Sequence, residues 1–203
     1  MFDIHAFLSY LTNAYLLGGV AATIGLTITT MVVGLILGMG IALARMSSIR
    51  ALSLFARFYI WIFRGTPLLV QLVIIYTALP QLGIKFGVLT SSLLALSLNE
   101  AAYLSETIRG GFTGIAKGQR EAASALSLTP LQTLRYVLIP QVMRLIIPPL
   151  GNSLNGLLKA TSLASVISME ELMRRSQILM QQKFEVLELY AVAAVYYLLL
   201  TTL

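Results

Sequence analysis

A few polar side chains stand where this sequence can least tolerate them. Arg64 lies midway along the apolar run 52–79, and Asn99 and Glu100 lie inside the run 88–108 with Tyr103 close by. A charge inside a bilayer costs about 2.5–3.5 kcal/mol on insertion scales, so each is a functional candidate by default. Their types suggest a chemistry. A guanidinium holds a carboxylate and a carboxylate holds an ammonium, so together they match both ends of a zwitterion. Thr66 and Gln71 flank the break expected at Gly65-Thr66-Pro67, and Lys159, Thr161 and Ser162 add polar groups to the run 145–169. The alternative stays open that Arg64 and Glu100 pair with each other, or with neighbouring backbone, merely to neutralise buried charge. Lys159 equally suits a cavity lining, a helix end or a partner contact. Glu106 and Arg109, at one end of the run 88–108, suit interfacial anchors. No residue is a catalytic candidate. Cysteine is absent and His5 is the only histidine, which leaves no metal cluster and a solvated ring near the N-terminus.

These groups must be held by membrane helices. The chain has 203 residues, 58% hydrophobic and 11% charged, against about 45–50% apolar and about 25% charged in soluble domains. The expected fold is all-α and integral to the membrane, a single domain 1–203 with about five transmembrane helices at 14–44, 52–79, 88–108, 145–169 and 186–203. Pro67 should break the second span and free backbone carbonyls, an arrangement transporters use to bind solutes. Pro148-Pro149 should open the fourth. Gly34 and Gly38 clear one face of the first span for close helix packing. Glu100 and Tyr103, three residues apart, should share a face. The first apolar run lacks the basic flank of a signal sequence, and a short basic tail is expected after the last span.

With the N-terminus outside, the inner loops hold Arg45, Arg50, Arg57, Arg109, Lys117, Arg120, Arg135 and Arg144, and the outer loops Lys85, Arg174, Arg175 and Lys183. That imbalance of basic residues orients the chain, with the loop 109–144 in the cytoplasm and the C-terminus inside. The formal charge of +6 is then a matter of orientation, with no nucleic-acid partner implied.

The stretch 118–141, GQREAASALSLTPLQTLRYVLIPQ, is the most polar long segment. It reads as two short helices. Alanines favour a helix over 118–128, and Gln119, Arg120 and Glu121 form a polar patch at its start. Thr129 and Pro130 are an N-cap and a first helical residue. A second helix, 131–139, should place Leu131, Leu134 and Leu138 on one stripe and end at Pro140. Such a pair could lie on lipid headgroups or present a face to a partner; the pattern serves both.

EAASALSLTPLQTLRYVLIP resembles the EAA loop of ABC importer permeases: Glu-Ala-Ala, three residues, Gly, nine residues, Ile, any residue, Leu-Pro. Glu121, Ala122, Ala123 and Pro140 match in register. Ser127 stands where glycine is usual, Val137 for Ile and Ile139 for Leu. FRGTPLLVQ (63–71), NEAAYLSETIRGG (99–111) and KATSLASVISMEEL (159–172) narrow the resemblance to permeases for polar amino acids, of the histidine, glutamine and arginine type. Ala160 replaces the usual Asp of the last stretch.

The resemblance implies a type I importer permease fold working as a dimer of identical or homologous chains. It implies two ATP-binding subunits docked on the EAA loops and an extracytoplasmic solute-binding protein delivering an amino acid. Gly118, Arg120, Glu121, Ala122, Ala123 and Ser127 would form the coupling helix, with Glu121 facing a basic group of the ATPase. No GxxxxGK[ST] loop occurs in this chain, so ATP and Mg belong to that partner and this chain carries no cofactor. Arg64, Thr66, Gln71, Asn99, Glu100, Tyr103, Lys159, Thr161 and Ser162 are the candidate substrate pathway. The intramembrane glutamates lean towards a cationic amino acid. The rival readings are an ATP-independent carrier or channel subunit, which explains the buried charges but not the Glu-Ala-Ala register, and a purely structural membrane subunit, which needs neither Arg64 nor Glu100.

Overall fold

The longest element follows from the longest uncharged run. In the computed structural model, which describes residues 2–202, α2 (Ala14–Met46) is a continuous helix of 33 residues. It is the one described helix long and apolar enough on its own to cross a membrane. α1 (Ile4–Tyr10) precedes it, capped by Asp3, whose carboxylate accepts from the His5 and Ala6 amides. α3 (Arg50–Gly65) and the chain from α4 (Leu68–Val73) to Leu82 reach spanning hydropathy only when joined. α5 (Val88–Thr113) has 26 residues and α8 (Ile139–Ala160) has 22. Both exceed about 20 residues, the length that spans hydrocarbon; serines, Asn99, Glu100 and Lys159 lower their hydropathy. α10 (Val186–Thr202) is apolar and shorter.

The described chain gathers into two compact units. One holds the chain up to Val32, Thr66–Ser97 and the chain from Leu154 on; the other holds Val33–Gly65 and Leu98–Ser153. In the first unit Tyr10, Leu16, Leu172, Leu189, Val192 and Tyr196 form one core cluster, and Leu72, Ala95, Ala164 and Ile167 another. In the second unit the glycines of α2 act as expected. A Cβ on Gly38 would lie 3.1 Å from the Ala101 carbonyl oxygen and 3.1 Å from Leu104 Cβ, and one on Gly34 would lie 3.3 Å from Glu100 Cβ. Gly38 lets α2 meet the backbone of α5 and Gly34 makes room for the Glu100 side chain, the close approach that stabilises helix pairs in lipid.

The break in the second span falls where Pro67 puts it. α3 stops at Gly65, and Pro67 is extended (φ −62°, ψ 136°) before α4 restarts the chain. The stretch then tightens and loosens through a π-helical turn (Ile74–Ala78) and a 3-10 turn (Leu79–Leu82).

Several expectations are corrected. The first short helix, α6 (Lys117–Ala125), starts and ends earlier than 118–128. The second does not end at Pro140: α7 (Pro130–Gln132) passes into a π-helical turn (Thr133–Leu138) and straight on into α8. A wide turn bonds each amide one residue further back, so the Ile139 amide reaches the Leu134 carbonyl. The proline after it, which lacks an amide, is thereby accommodated without ending the helix. Pro148 and Pro149 consequently lie inside α8 rather than opening it, and α8 gives way to a 3-10 helix (Thr161–Ile167). The wide turn also breaks the stripe: Leu138 is buried, while Leu131 is 73% exposed. The outer stretch 170–188, read as a loop, contains α9 (Leu172–Lys183) and the start of α10.

Candidate functional site

The segment from Lys117 to Leu138 owes its shape to two local devices. Thr129 Oγ1 accepts from the Gln132 amide at 3.3 Å while the Thr129 amide donates to Gln132 Oε1 at 2.9 Å, a full capping box with Pro130 in the first turn. At the end of α6, Ser127 takes a left-handed conformation (φ 55°). The Leu128 amide bonds the Ala123 carbonyl at 3.0 Å and the Ser127 amide bonds the Ser124 carbonyl at 2.9 Å. That is a Schellman ending. Serine therefore makes the turn that glycine makes in the EAA pattern, at the cost a Cβ imposes on left-handed backbone.

α6 turns one small side chain inward and the rest outward. Ala123 is 2% exposed, whereas Gly118, Arg120, Glu121, Ala122 and Ser127 are exposed. Gln141 Nε2 donates to Gln119 Oε1 at 3.0 Å and to the Val137 carbonyl at 2.9 Å, clipping the start of α6 to α8. Underneath, Leu134, Ile139 and Val142 meet Met39, Leu43 and Phe112 around an apolar cavity of about 320 Å³. Sequence reasoning missed the outward apolar groups: Leu126, Leu131 and Tyr136 are 75%, 73% and 66% exposed. Large apolar side chains beside an open charged patch mark an interaction surface. The signal was present in Leu126 and Tyr136, which stand on a stretch otherwise rich in polar groups.

The intramembrane polar residues divide between the units. In the second unit Arg64 is exposed and its guanidinium stacks 5.1 Å from the Tyr103 ring centre. Asn99 Nδ2 donates to the Phe63 carbonyl at 2.9 Å, and Tyr59 donates to the Leu98 carbonyl at 2.7 Å. These bonds tie α5 to the end of α3, where the break leaves carbonyls without helical partners. Glu100 is 8% exposed beneath Gly34, with the Ser153 hydroxyl beside it. Its Oε1 has no hydrogen-bond partner among the described residues. Arg64 and Glu100 form no ion pair among the described residues, so mutual neutralisation is not what holds them. Glu100 and Tyr103, three residues apart on α5, meet different neighbours: Glu100 packs against α2, while Tyr103 is 42% exposed and meets Arg64. Glu106 and Arg109 bind each other, Nη2 to Oε2 at 2.7 Å and Nε to Oε1 at 3.0 Å.

In the first unit Gln71, 7% exposed, donates to the Thr66 hydroxyl at 2.9 Å and the Thr66 carbonyl at 3.1 Å, bracing the restart of the broken helix. Lys159 is exposed at the end of α8. Thr161 is fully buried and its hydroxyl donates to the Leu158 carbonyl, and the Ser162 hydroxyl donates to the Lys159 carbonyl. Sequence reasoning missed a buried acid here. Glu171, fully buried, caps α9 by accepting from the Met173 and Arg174 amides and from the Tyr197 hydroxyl at 2.9 Å. Burial pushes its carboxyl above the usual range despite these hydrogen bonds. Arg175 fills the space over Gly18, donates to the Tyr15 carbonyl at 2.9 Å and stacks 4.7 Å from the Tyr15 ring.

A helical membrane chain with a broken spanning helix and an exposed Glu-Ala-Ala segment agrees with the permease class that its motifs resemble. Residues 34–203 match the family model described as the binding-protein-dependent transport system inner membrane component, and the chain belongs to that family. It is 39% identical over 183 residues to a probable amino-acid ABC transporter permease, YckA of Bacillus subtilis, covering 90% of this chain and 81% of that protein. It is 38% identical over 191 residues to the arginine transport system permease ArtQ of the same organism, covering 93% of this chain and 87% of the other. A solved structure described as an amino acid ABC transporter with histidines superposes at a TM-score of 0.93 with 37% identity, over 100% of this chain and 94% of that one. The resemblance read from the motifs and the permease fold both hold.

Proposed function

We propose that this chain is the membrane-spanning subunit of an ATP-driven importer for a polar or basic amino acid. A cytoplasmic pair of ATP-binding subunits, which carry the Mg and ATP, grips α6. A second permease chain completes the pathway, and an extracytoplasmic solute-binding protein delivers the amino acid. The N-terminus lies outside and the C-terminus in the cytoplasm, as the basic residues of the loops favour. One observation carries the reading: α6 keeps Glu121 and Arg120 open to water with Leu126, Leu131 and Tyr136 bare beside them, while Ala123 and Leu138 anchor it inward. Apolar anchors next to a charged patch fit a protein groove that excludes water, the setting in which interface side chains contribute most. The relatives named for arginine, glutamine and L-cystine transport support a polar or charged amino acid.

The pathway assignment is ours as well. The guanidinium of Arg64, stacked on Tyr103 and in no ion pair among the described residues, suits a substrate carboxylate. The unpartnered Oε1 of Glu100 suits a cation or a proton. Lys159, Thr161 and Ser162 follow in the other unit, Thr161 and Ser162 with their hydroxyls already engaged. Affinity purification from native membranes tests the importer reading: a stoichiometric ATPase is expected with the permease. Uptake by reconstituted vesicles that proceeds without ATP would exclude it and return the chain to the carriers.

A further inference from the structure

The turn between α2 and α3 carries a polar cavity that the importer reading does not use. It is a half-open groove of about 330 Å³ lined by Ser47, Ser48, Arg50, Ser53, Leu54 and Arg57, within the roughly 300–1,000 Å³ of ligand pockets. Its chemistry is one-sided. No carboxylate lines it, and the sequence from Ile4 to Asn99 contains no Asp or Glu at all. Neither Arg50 nor Arg57 joins an ion pair among the described residues. Seven residues apart on α3, they stand two turns from each other on one face. Each offers five N–H donors and no acceptor. The serine hydroxyls are already oriented: Ser47 Oγ accepts from the Ile49 amide at 3.1 Å, which leaves its own proton to donate, and Ser53 donates to the Arg45 carbonyl at 3.2 Å. The cavity also lies where α3 begins, and the free amides of a first helical turn favour anions.

What surrounds the cavity selects the anion. Leu52, Leu54, Phe55, Phe58 and Trp61 of the same helix are 44% to 70% exposed. A helix that shows arginines along its first half and large apolar groups alongside fits the boundary between headgroups and acyl chains, where Arg holds its charge in the polar layer. A free phosphate would use the arginines and leave the apolar flank bare; a phospholipid uses both. We propose that Ser47, Ser48, Arg50 and Arg57 form a binding site for the phosphate headgroup of an anionic phospholipid, whose chains lie along the apolar face of α3. This rests on the chain being an integral membrane protein and not on its being an importer.

The assembled transporter, purified in detergent, is exchanged into nanodiscs containing equal phosphatidylglycerol and phosphatidylcholine, and the lipid retained after re-extraction is counted by native mass spectrometry. Phosphatidylglycerol should be retained about tenfold over phosphatidylcholine, since each arginine near an anionic surface supplies a several-fold preference. R50Q/R57Q should bring the ratio near one. R50K/R57K, which keeps the charge but loses the forked geometry, should fall between. If the glutamine variant does not assemble, the lysine variant and S47A/S48A carry the test, and a ratio unchanged in both overturns the proposal. So does displacement of the retained lipid by millimolar inorganic phosphate, which would make the site one for free anions. Loss of the ATPase from R50Q/R57Q with lipid retention intact would also overturn it and assign the cavity to a protein contact. No outcome depends on uptake, so failure of the importer reading would be seen separately, in the co-purification.

Discussion

Two polar regions of this molecule are built on opposite terms. Around α6 the polar groups face outward and the apolar groups beside them are exposed: Glu121 is open to solvent and Leu126 is 75% exposed. Around Arg64 and Glu100 the polar groups stand among apolar helices, Glu100 buried and Arg64 exposed against Tyr103 beside the opened backbone. In the first region the unsatisfied surface is hydrophobic and awaits a protein. In the second it is electrostatic, Oε1 of Glu100 being without a hydrogen bond among the described residues, and awaits an ion, a proton or a solute. On the proposed reading, the coupling surface and the pathway differ in which kind of group is left incomplete.

The largest effect should come from the first region. Glu121→Lys keeps the helix, because lysine is as good a helix former as glutamate, and Glu121 makes no contact that the fold needs. The variant should insert and fold normally yet lose transport by tenfold or more, since a like charge placed across an interface costs several kcal/mol and about 1.4 kcal/mol is already tenfold. Uptake measured beside ATPase activity checks it. Normal uptake would remove α6 from the coupling role and weaken the contrast between the regions.

The second region answers to Glu100→Gln. The shape is kept and the charge is lost, so packing beneath Gly34 should persist. Transport should fall more than the yield of assembled complex, and the two measured on the same preparation decide it. Equal, small losses would mean that Glu100 serves structure alone.

How far these regions were legible in the sequence follows from the kind of signal each carries. Thr129, Pro130 and Gln132 act within four residues, and the cap they form was readable from their order. The break at Pro67 was readable for the same reason, since a proline constrains its own neighbours wherever it stands. Pro140 misled because a π-helical turn upstream accommodated it, and such turns answer to packing that no local pattern records. The partners of Asn99, Gln71 and Arg64 were out of reach for a different reason. Asn99 bonds Phe63, 36 residues away, a pairing set by how α5 lies on α3. Glu171 went unnoticed because an acid in a charged stretch looks solvated until Tyr197 and Thr23 close over it.

The close approach under Glu100 can be tested without touching a polar group. Leucine at position 38 would drive its side chain into the Ala101 carbonyl oxygen, which already lies 3.1 Å from where a Cβ would stand. Backbone cannot yield as a side-chain tip can. Gly38→Leu should destabilise the folded permease by about 1–3 kcal/mol, the usual range for overpacking, and should separate α2 from α5. Thermal unfolding in detergent measures it. A melting temperature equal to that of the native chain would mean that the glycines of α2 carry no packing role.

The smallest effect sharpens the comparison most, because it asks whether the coupling segment was shaped by stability or by contact. Ser127 holds a left-handed backbone at φ 55°, where a Cβ costs about 1–2 kcal/mol that glycine does not incur. Part of that gain is offset by glycine's larger entropy loss on folding, about 0.5–1 kcal/mol. Ser127→Gly should therefore raise stability by a few tenths of a kcal/mol to about 1 kcal/mol, with the Leu128 to Ala123 hydrogen bond retained. Ser127→Val, with two branches at Cβ in the same conformation, should lower it and fray the end of α6. Thermal unfolding of the pair gives the sign. Uptake should follow the geometry of the turn, unchanged in the glycine variant and reduced in the valine one. If both variants transport normally, the left-handed ending is not required for α6 to be gripped, and the exposed apolar groups beyond it must hold the partner by themselves.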